Sequence, residues 1–175
     1  MSLYDKIHFH MIRVVHEMLY QLFKDPYTIL RTAGLEYGQS VLEVGCGPGF
    51  FTLPAAEIIG SEGTVVAVDL NPYAIAHVRK KIQKTDLNNI TLLQRDVADT
   101  GLESGVFDVV FMFGFHHFTG DIDPILHETA RVLKPDGVLV TEGIFWEKSP
   151  HFERTAQVGD LYQFHKRNTD RSSDN

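Results

Sequence analysis

Apolar positions along this chain change their period more than once, and each change marks a different kind of element. Between Tyr4 and Phe23, the residues Ile7, Met11, Val14, Val15, Met18, Leu19 and Leu22 recur at helical spacing and predict an amphipathic helix. Asp25-Pro26 closes that helix and opens a second, with Asp25 as N-cap and Pro26 at the first helical position. The second helix is expected to reach Ala33, and Gly34 suits the left-handed position beyond its end. From Ser40 onward, short and almost wholly apolar runs alternate with helical stretches. Ser40–Gly45, Thr64–Asp69, Ile90–Arg95, Phe107–Met112 and Val138–Glu142 read as strands. Phe51–Ile59, Pro72 to Lys84 (capped by Asn71) and Asp123 to Lys134 read as helices. Strands that are apolar throughout must be covered on both faces, so the pattern predicts an α/β fold. The expected architecture is a Rossmann-like, doubly wound and mostly parallel sheet.

Past Gly143 the pattern changes again. His151–Gln157 and Leu161–Arg167 predict two antiparallel strands around the turn Val158-Gly159-Asp160. Only 32 residues follow Gly143, which leaves little for a full helix before that pair. A shortened C-terminal antiparallel edge is therefore expected, with Trp146 and Phe152 available to pack where a helix would lie. The polar ending NTDRSSDN predicts a disordered tail over residues 168–175. The organisation expected is one domain over residues 1–167: N-terminal helices in 1–34, a core in 40–143 and the edge in 144–167. The N-terminal helices are the available lid, with Tyr4, His8 and His10 at their open end.

Composition narrows the setting. Hydrophobic residues make up 43% and charged residues 22% of the 175 positions, as in an ordinary soluble domain. Cys46 is the only cysteine, so no internal disulfide forms and a reducing, cytoplasmic setting is the expectation. No apolar run approaches the roughly 18 residues that a membrane span needs. The formal net charge of −7 argues against a nucleic-acid partner, which usually meets a basic face. The densest basic run, Arg79-Lys80-Lys81 with Lys84, reads as one solvated helix face.

Candidate chemistry begins at the stretch VLEVGCGPGFF, where a strand meets Gly45, Gly47 and Gly49 within five residues. Glycines at the carboxyl end of a parallel strand let the backbone approach a ligand closely. A dinucleotide fingerprint needs a glycine at position 50, which is Phe50, and no Gly-Lys-Ser/Thr follows to make a P-loop. Asp69 ends the second strand, where a carboxylate can accept hydrogen bonds from both hydroxyls of a ribose. Asp96 follows the third strand, in reach of an adenine amine. Glu43, two residues before Gly45, is costly to bury unless a positive group such as a ligand ammonium meets it. Ribose, adenine and ammonium together describe S-adenosylmethionine better than NAD, whose pyrophosphate the carboxylates would repel.

VLEVGCGPG, the acidic end of TVVAVD, the RDV after the third strand, FDVVFMFGFHHF and the turn LKPDGVLV resemble, in order, the motifs of the class I S-adenosylmethionine-dependent methyltransferases. The resemblance covers residues 26 to 143 and is nearest to small-molecule enzymes of the quinone-biosynthesis type. It implies that the Gly45–Gly49 backbone, Cys46 included, cradles the methionine part and that Asp69, with Leu70 beside it, holds the ribose. It further implies that Asp96 and Val97 flank the adenine, while Phe113 and Gly114 border the sulfonium. The family's usual sheet has seven strands with a helix leading into the last pair, and this chain departs from it by its short C-terminal region.

Methyl transfer from a sulfonium is an in-line displacement that needs a base only when the nucleophile starts protonated. His116 and His117 follow the fourth strand and are the candidate bases. His8 and His10 fall on opposite sides of a helix, and no Cys pair or H-E-x-x-H occurs, so no metal is expected. Cys46 reads as a small filler rather than a nucleophile. The expected activity is methylation of a small molecule, yielding S-adenosylhomocysteine, with self-association left open. A protein or RNA methyltransferase working with a partner subunit, a non-catalytic S-adenosylmethionine-binding module and a nucleotide-linked oxidoreductase are the alternatives.

Overall fold

A computed structural model describes residues 25–115, 119–144, 146 and 148–167. The predicted helix before Asp25, with Tyr4, His8 and His10, and the polar tail lie outside the described residues. So do His116 and His117.

The described chain begins with helix α1, Pro26–Thr32, capped as expected: the Asp25 carboxylate accepts the N–H groups of Tyr27 and Thr28. Strand β1 spans Ser40–Val44, helix α2 Thr52–Ile59 and strand β2 Thr64–Asp69. Helix α3 covers Pro72–Ile82, with Asn71 capping the Tyr73 N–H at 2.9 Å. Strands β3, Ile90–Gln94, and β4, Phe107–Met112, follow, then helix α4, Asp123–Val132. Strands β5, Leu133–Glu142, β6, Phe152–Val158, and β7, Leu161–Lys166, complete the order.

The seven strands form one sheet in the order β3-β2-β1-β4-β5-β7-β6. Strands β1 to β5 run parallel to one another, and β7 runs antiparallel between β5 and β6. The direction of winding reverses between β1 and β4, so a crevice opens beyond their carboxyl ends. One sheet face packs Val41, Val65 and Phe111 under Leu30, Ala55, Ile59 and Val78. The other packs Leu42, Val44, Val68 and Met112 against Leu126, Val132 and Phe164. Val41 and Leu42 thus point to opposite cores, which is why the strand reads as an unbroken apolar run.

The largest differences from the sequence reading lie at the fifth strand and at the C-terminal edge. The fifth strand starts at Leu133 rather than Val138, because Leu133 is fully buried and pairs with Phe107. The next paired residues are Val109 and Val138, so the Lys134–Gly137 segment bulges out of the ladder. Gly137 allows this: a Cβ there would lie 2.9 Å from the Phe107 carbonyl oxygen. The shortened C-terminal edge is confined to the connection before β6, since both antiparallel strands are present and the described residues of 143–151 contain no helix. Trp146 packs on Phe164 at 5.0 Å between ring centroids, and Phe152 is 2% exposed in the same core. Both rings pack in the second core cluster.

Candidate cofactor and methyl-transfer site

The loop after β1 is pinned to the end of β2 by its own backbone. Gly45 and Cys46 both donate to the Val68 carbonyl, at 2.8 and 3.1 Å. One step further, the Gly47 N–H donates to Asp69 Oδ2 at 2.8 Å and the Asn71 N–H to Asp69 Oδ1 at 2.8 Å. Asp69 therefore ties the glycine loop to the start of α3 and still has lone pairs on both oxygens for a ligand. Its carboxyl is raised above the ordinary range by burial, and the two backbone donors oppose that shift.

The three glycines of the loop serve different ends. At Gly45 a Cβ would stand 2.7 Å from the Phe115 ring, so the chain leaving β4 crosses directly over it. At Gly49 a Cβ would meet Val78 on α3 at 2.7 Å, and the φ of 73° disfavours any other residue. At Gly47 the missing side chain would meet nothing within 4 Å. The loop is also held from α3 by Lys81, whose Nζ donates to the Pro48 carbonyl at 2.9 Å.

These elements enclose a cavity of about 620 Å³ at the carboxyl ends of the strands. Gly45, Gly47, Asp69, Leu70, Asp96 and Val97, all expected from the sequence, line it together. Leu70 is 66% exposed, an apolar side chain held out at the cavity wall rather than in the core. The Asp96 carboxylate accepts the Ala98 N–H at 2.9 Å, which fixes the turn that carries Val97. Asn71, Ala74, Ala98, Phe115, Asp121, Pro124 and Ile125 complete the lining.

Five expected residues are not in that lining. Glu43 is 3% exposed behind the loop, where the Thr52 hydroxyl donates to its Oε2 at 2.5 Å. Burial pushes the Glu43 carboxyl up to about 8; the Thr52 hydroxyl opposes the shift and the nearby Asp69 charge adds to it. Cys46 is 4% exposed, and burial, with the neighbouring Glu43 and Asp69, raises its thiol above the ordinary range. Gly49 packs against α3. Phe113, assigned to the sulfonium by resemblance, turns into the core, stacked on Phe111 at 5.0 Å and edge-on to Phe51 at 4.9 Å. Gly114 follows it without entering the lining, and the aromatic ring in the cavity is that of Phe115.

Of the seven lining residues that the sequence reading did not assign to the site, Phe115 and Asp121 bring an aromatic ring and a charge. In FMFGF the strand alternation places Phe111 and Phe113 on one face, and the positive φ of Gly114, 77°, breaks that alternation before Phe115. A glycine inside an aromatic run was the available sign. Asp121 accepts the Asp123 N–H at 3.1 Å just ahead of α4, where Ile122, not Asp123, stands at the cap position. Among the described residues, no three His, Cys, Asp or Glu side chains converge as a metal site. No helix of the described residues is long and apolar enough to cross a membrane.

Comparison with known proteins agrees with this geometry. Residues 41–137 match the model of a family described as "Methyltransferase domain". A ubiquinone/menaquinone biosynthesis C-methyltransferase of Idiomarina loihiensis is 33% identical over 141 residues, covering 79% of this chain and 54% of that protein. An aklanonic acid methyltransferase of a Streptomyces species is 40% identical over 73 residues, covering 42% of this chain and 33% of the relative. The chain thus spans between a third and about half the length of these curated relatives. The crystal structure of a SAM-dependent methyltransferase from Aquifex aeolicus shares the fold, with a TM-score of 0.74 at 23% identity over 89% of this chain and 95% of that one. With the family model matched from the glycine loop to the turn inside β5, the chain belongs to the methyltransferase domain family, the class I S-adenosylmethionine-dependent group.

Proposed function

We propose that this chain is an S-adenosylmethionine-dependent methyltransferase acting on a small-molecule acceptor. The observation that carries the reading is the charge of the cavity: Asp69, Asp96 and Asp121 line it, and no lysine, arginine or histidine is among its described lining residues. Such a cavity favours a cationic ligand and opposes a pyrophosphate. S-adenosylmethionine supplies a methyl group activated by a sulfonium, and the residues present fit its parts. Asp69, its carboxylate already oriented by Gly47 and Asn71, accepts the ribose hydroxyls. Leu70 and Val97 offer apolar walls to the adenine, with the Asp96 carboxylate at its polar edge. The Gly45–Gly47 backbone holds the amino-acid end, and Phe115 closes the cavity above Gly45. The chain's main contribution to rate is to position the acceptor and exclude water. His116 and His117, at the exit of β4, are assigned the proton transfer that a protonated nucleophile would require.

A small acceptor is supported by the relatives, which are named for quinone biosynthesis and for aklanonic acid. Titration calorimetry with S-adenosylmethionine, S-adenosylhomocysteine and NADH tests the donor, and binding of the first two without NADH is expected. Asp69→Ala should weaken S-adenosylhomocysteine binding by about 2–3 kcal/mol, and a loss below about 0.5 kcal/mol contradicts the ribose assignment. Release of S-adenosylhomocysteine in the presence of quinone-type phenols and polyketide acids tests the acceptor. Donor binding without turnover on any acceptor would instead mark a binding module.

A further inference from the structure

The two edges of the sheet are built differently. At one, β6 exposes Glu153 and Arg154, and its register to β7 shifts between Arg154 and Ala156; such devices keep a free edge from pairing. At the other, β3 reads Ile-Thr-Leu-Leu-Gln, with no charge, no proline and an unbroken register to β2. No strand of the described residues lies outside it. Its residues are exposed or half-buried, whereas Val65, Val66, Ala67 and Val68 of β2 beside it are buried.

The backbone groups left over can be named. The Val65 N–H donates to the Asn89 carbonyl at 2.9 Å, so the polar groups of Asn89 point towards β2. A residue in a parallel strand turns its N–H and C=O to one side, and the side alternates along the strand. Thr91 and Leu93 therefore face β2, while Ile90, Leu92 and Gln94 each present an N–H and a C=O outward. Ile90 and Leu92 are partly buried against the first core cluster and Leu93 against the second. Both faces of this edge thus keep apolar surface that one more strand would cover.

Charge decides what kind of strand fits. On α3, Val78 meets Gly49 and Lys81 holds the Pro48 carbonyl, so that flank faces the glycine loop after β1. Arg79 sits one turn beyond Ile75 on the opposite flank, towards β3. Lys80 and Lys84 follow on the helix and just past its end, and Arg95 directly follows the strand. These four are exposed and have no ion pair among the described residues. Asp86 is the only acid between Pro72 and Arg95, in a chain whose net charge is −7. A second copy of the chain would set this basic flank against itself, whereas an acidic strand neutralises it.

We propose that β3 is a docking edge for an extended, acidic segment of another protein, which joins the seven-stranded sheet as a further strand. Its main chain bonds Ile90, Leu92 and Gln94, its apolar side chains cover Leu92 and Leu93, and its carboxylates meet Arg79 and Arg95. This surface is separate from the cavity and does not depend on the donor reading.

Amide hydrogen exchange followed by NMR on the full chain tests it, with two soluble peptides of about ten residues, one alternating valine with glutamate and one valine with lysine. In the free protein the outward amides of Ile90, Leu92 and Gln94 should exchange fast, while those of Thr91 and Leu93 are protected by β2. The glutamate peptide should slow the outward amides by at least about tenfold and leave Thr91 and Leu93 unchanged, and the lysine peptide should not. Arg79→Glu should weaken the effect of the glutamate peptide. So should Gln94→Pro, which removes an outward donor without touching the ladder to β2. The comparison of the two peptides on the wild-type protein needs no variant, so a misfolded variant leaves the test intact. Outward amides that stay fast with the glutamate peptide, or slow equally with both peptides, overturn the proposal. Protection that rises with protein concentration in the absence of peptide marks a second copy on this edge and overturns it as well.

Discussion

Asp69 shows how one side chain can serve the fold and the site at once. Its carboxylate accepts the Gly47 and Asn71 N–H groups at 2.8 Å each, and the residue lines the cavity. Removing it therefore loosens the loop as well as the ligand contact, so Asp69→Asn, which keeps one acceptor, should cost less than Asp69→Ala. Glu43 has a stability consequence of its own. The folded protein holds a proton on it up to a pH of about 8, whereas an unfolded chain releases that proton near 4.5. The stabilisation is complete below 4.5 and is lost as pH rises towards 8, by up to about 1.4 kcal/mol per pH unit. Denaturant midpoints of the ligand-free protein should fall across that window, and Glu43→Gln should flatten the fall. Cys46, 4% exposed with a raised thiol, should resist thiol reagents at pH 8 in the native state and react on unfolding.

Elements meet at the site through braces that lie outside it. The stretch after β3 carries Asp96 and Val97, and it is fastened to α4 by Glu128. That carboxylate accepts the Thr100 N–H at 2.9 Å and the Thr100 hydroxyl at 2.5 Å, and it pairs with Arg131 Nε at 2.7 Å. Glu128 is 6% exposed, and the Arg131 guanidinium leads the interactions that hold its carboxyl down at about 2. Its contribution is present at neutral pH and lost as pH falls from about 4.5 towards 2. Glu128→Ala should destabilise the protein by about 3 kcal/mol, because it leaves Thr100 and Arg131 without their partner. Urea unfolding measures this, and adenosine-ligand affinity should drop as the adenine wall loosens. Gly49→Ala acts between the loop and α3: the added methyl meets Val78 at a positive φ. A loss of about 1–3 kcal/mol in stability is expected. At Gly47 the space is open but the φ is 50°, so Gly47→Ala should lose about 1 kcal/mol of stability as well as ligand affinity.

For the molecule as a whole, the cavity is assembled from the ends of β1, β2, β3 and β4 and the start of α4, so a ligand there joins parts distant in sequence. S-adenosylhomocysteine at about 100 times its Kd should stabilise the folded state by about 2.7 kcal/mol. A thermal scan should show that as a midpoint several degrees higher, with no shift for NADH. At the far edge of the sheet, β6 has its register to β7 shifted between Arg154 and Ala156, with Thr155 hydrogen-bonded to His165. A shifted, polar edge of this kind resists strand-to-strand association.

The α/β class, the strand order along the chain and the position of the glycine loop were legible in the sequence, because each depends on local pattern. Apolar runs mark strands covered on both faces, Asn71-Pro72 marks a cap, and glycines at the end of a strand mark a tight turn there. What could not be read were choices made by packing. Leu133 joined β5 because a buried partner, Phe107, lay waiting across 26 residues of sequence. Phe113 went to the core and Phe115 to the cavity because one positive φ at Gly114 reversed the alternation. Asp121 became the third carboxylate of the cavity only when α4 folded back over the sheet. Glu43 looked like a ligand contact, yet it lies behind the loop bonded to Thr52. Which carboxyl holds a charge and which a proton depends on donors and solvent that only the folded chain brings together.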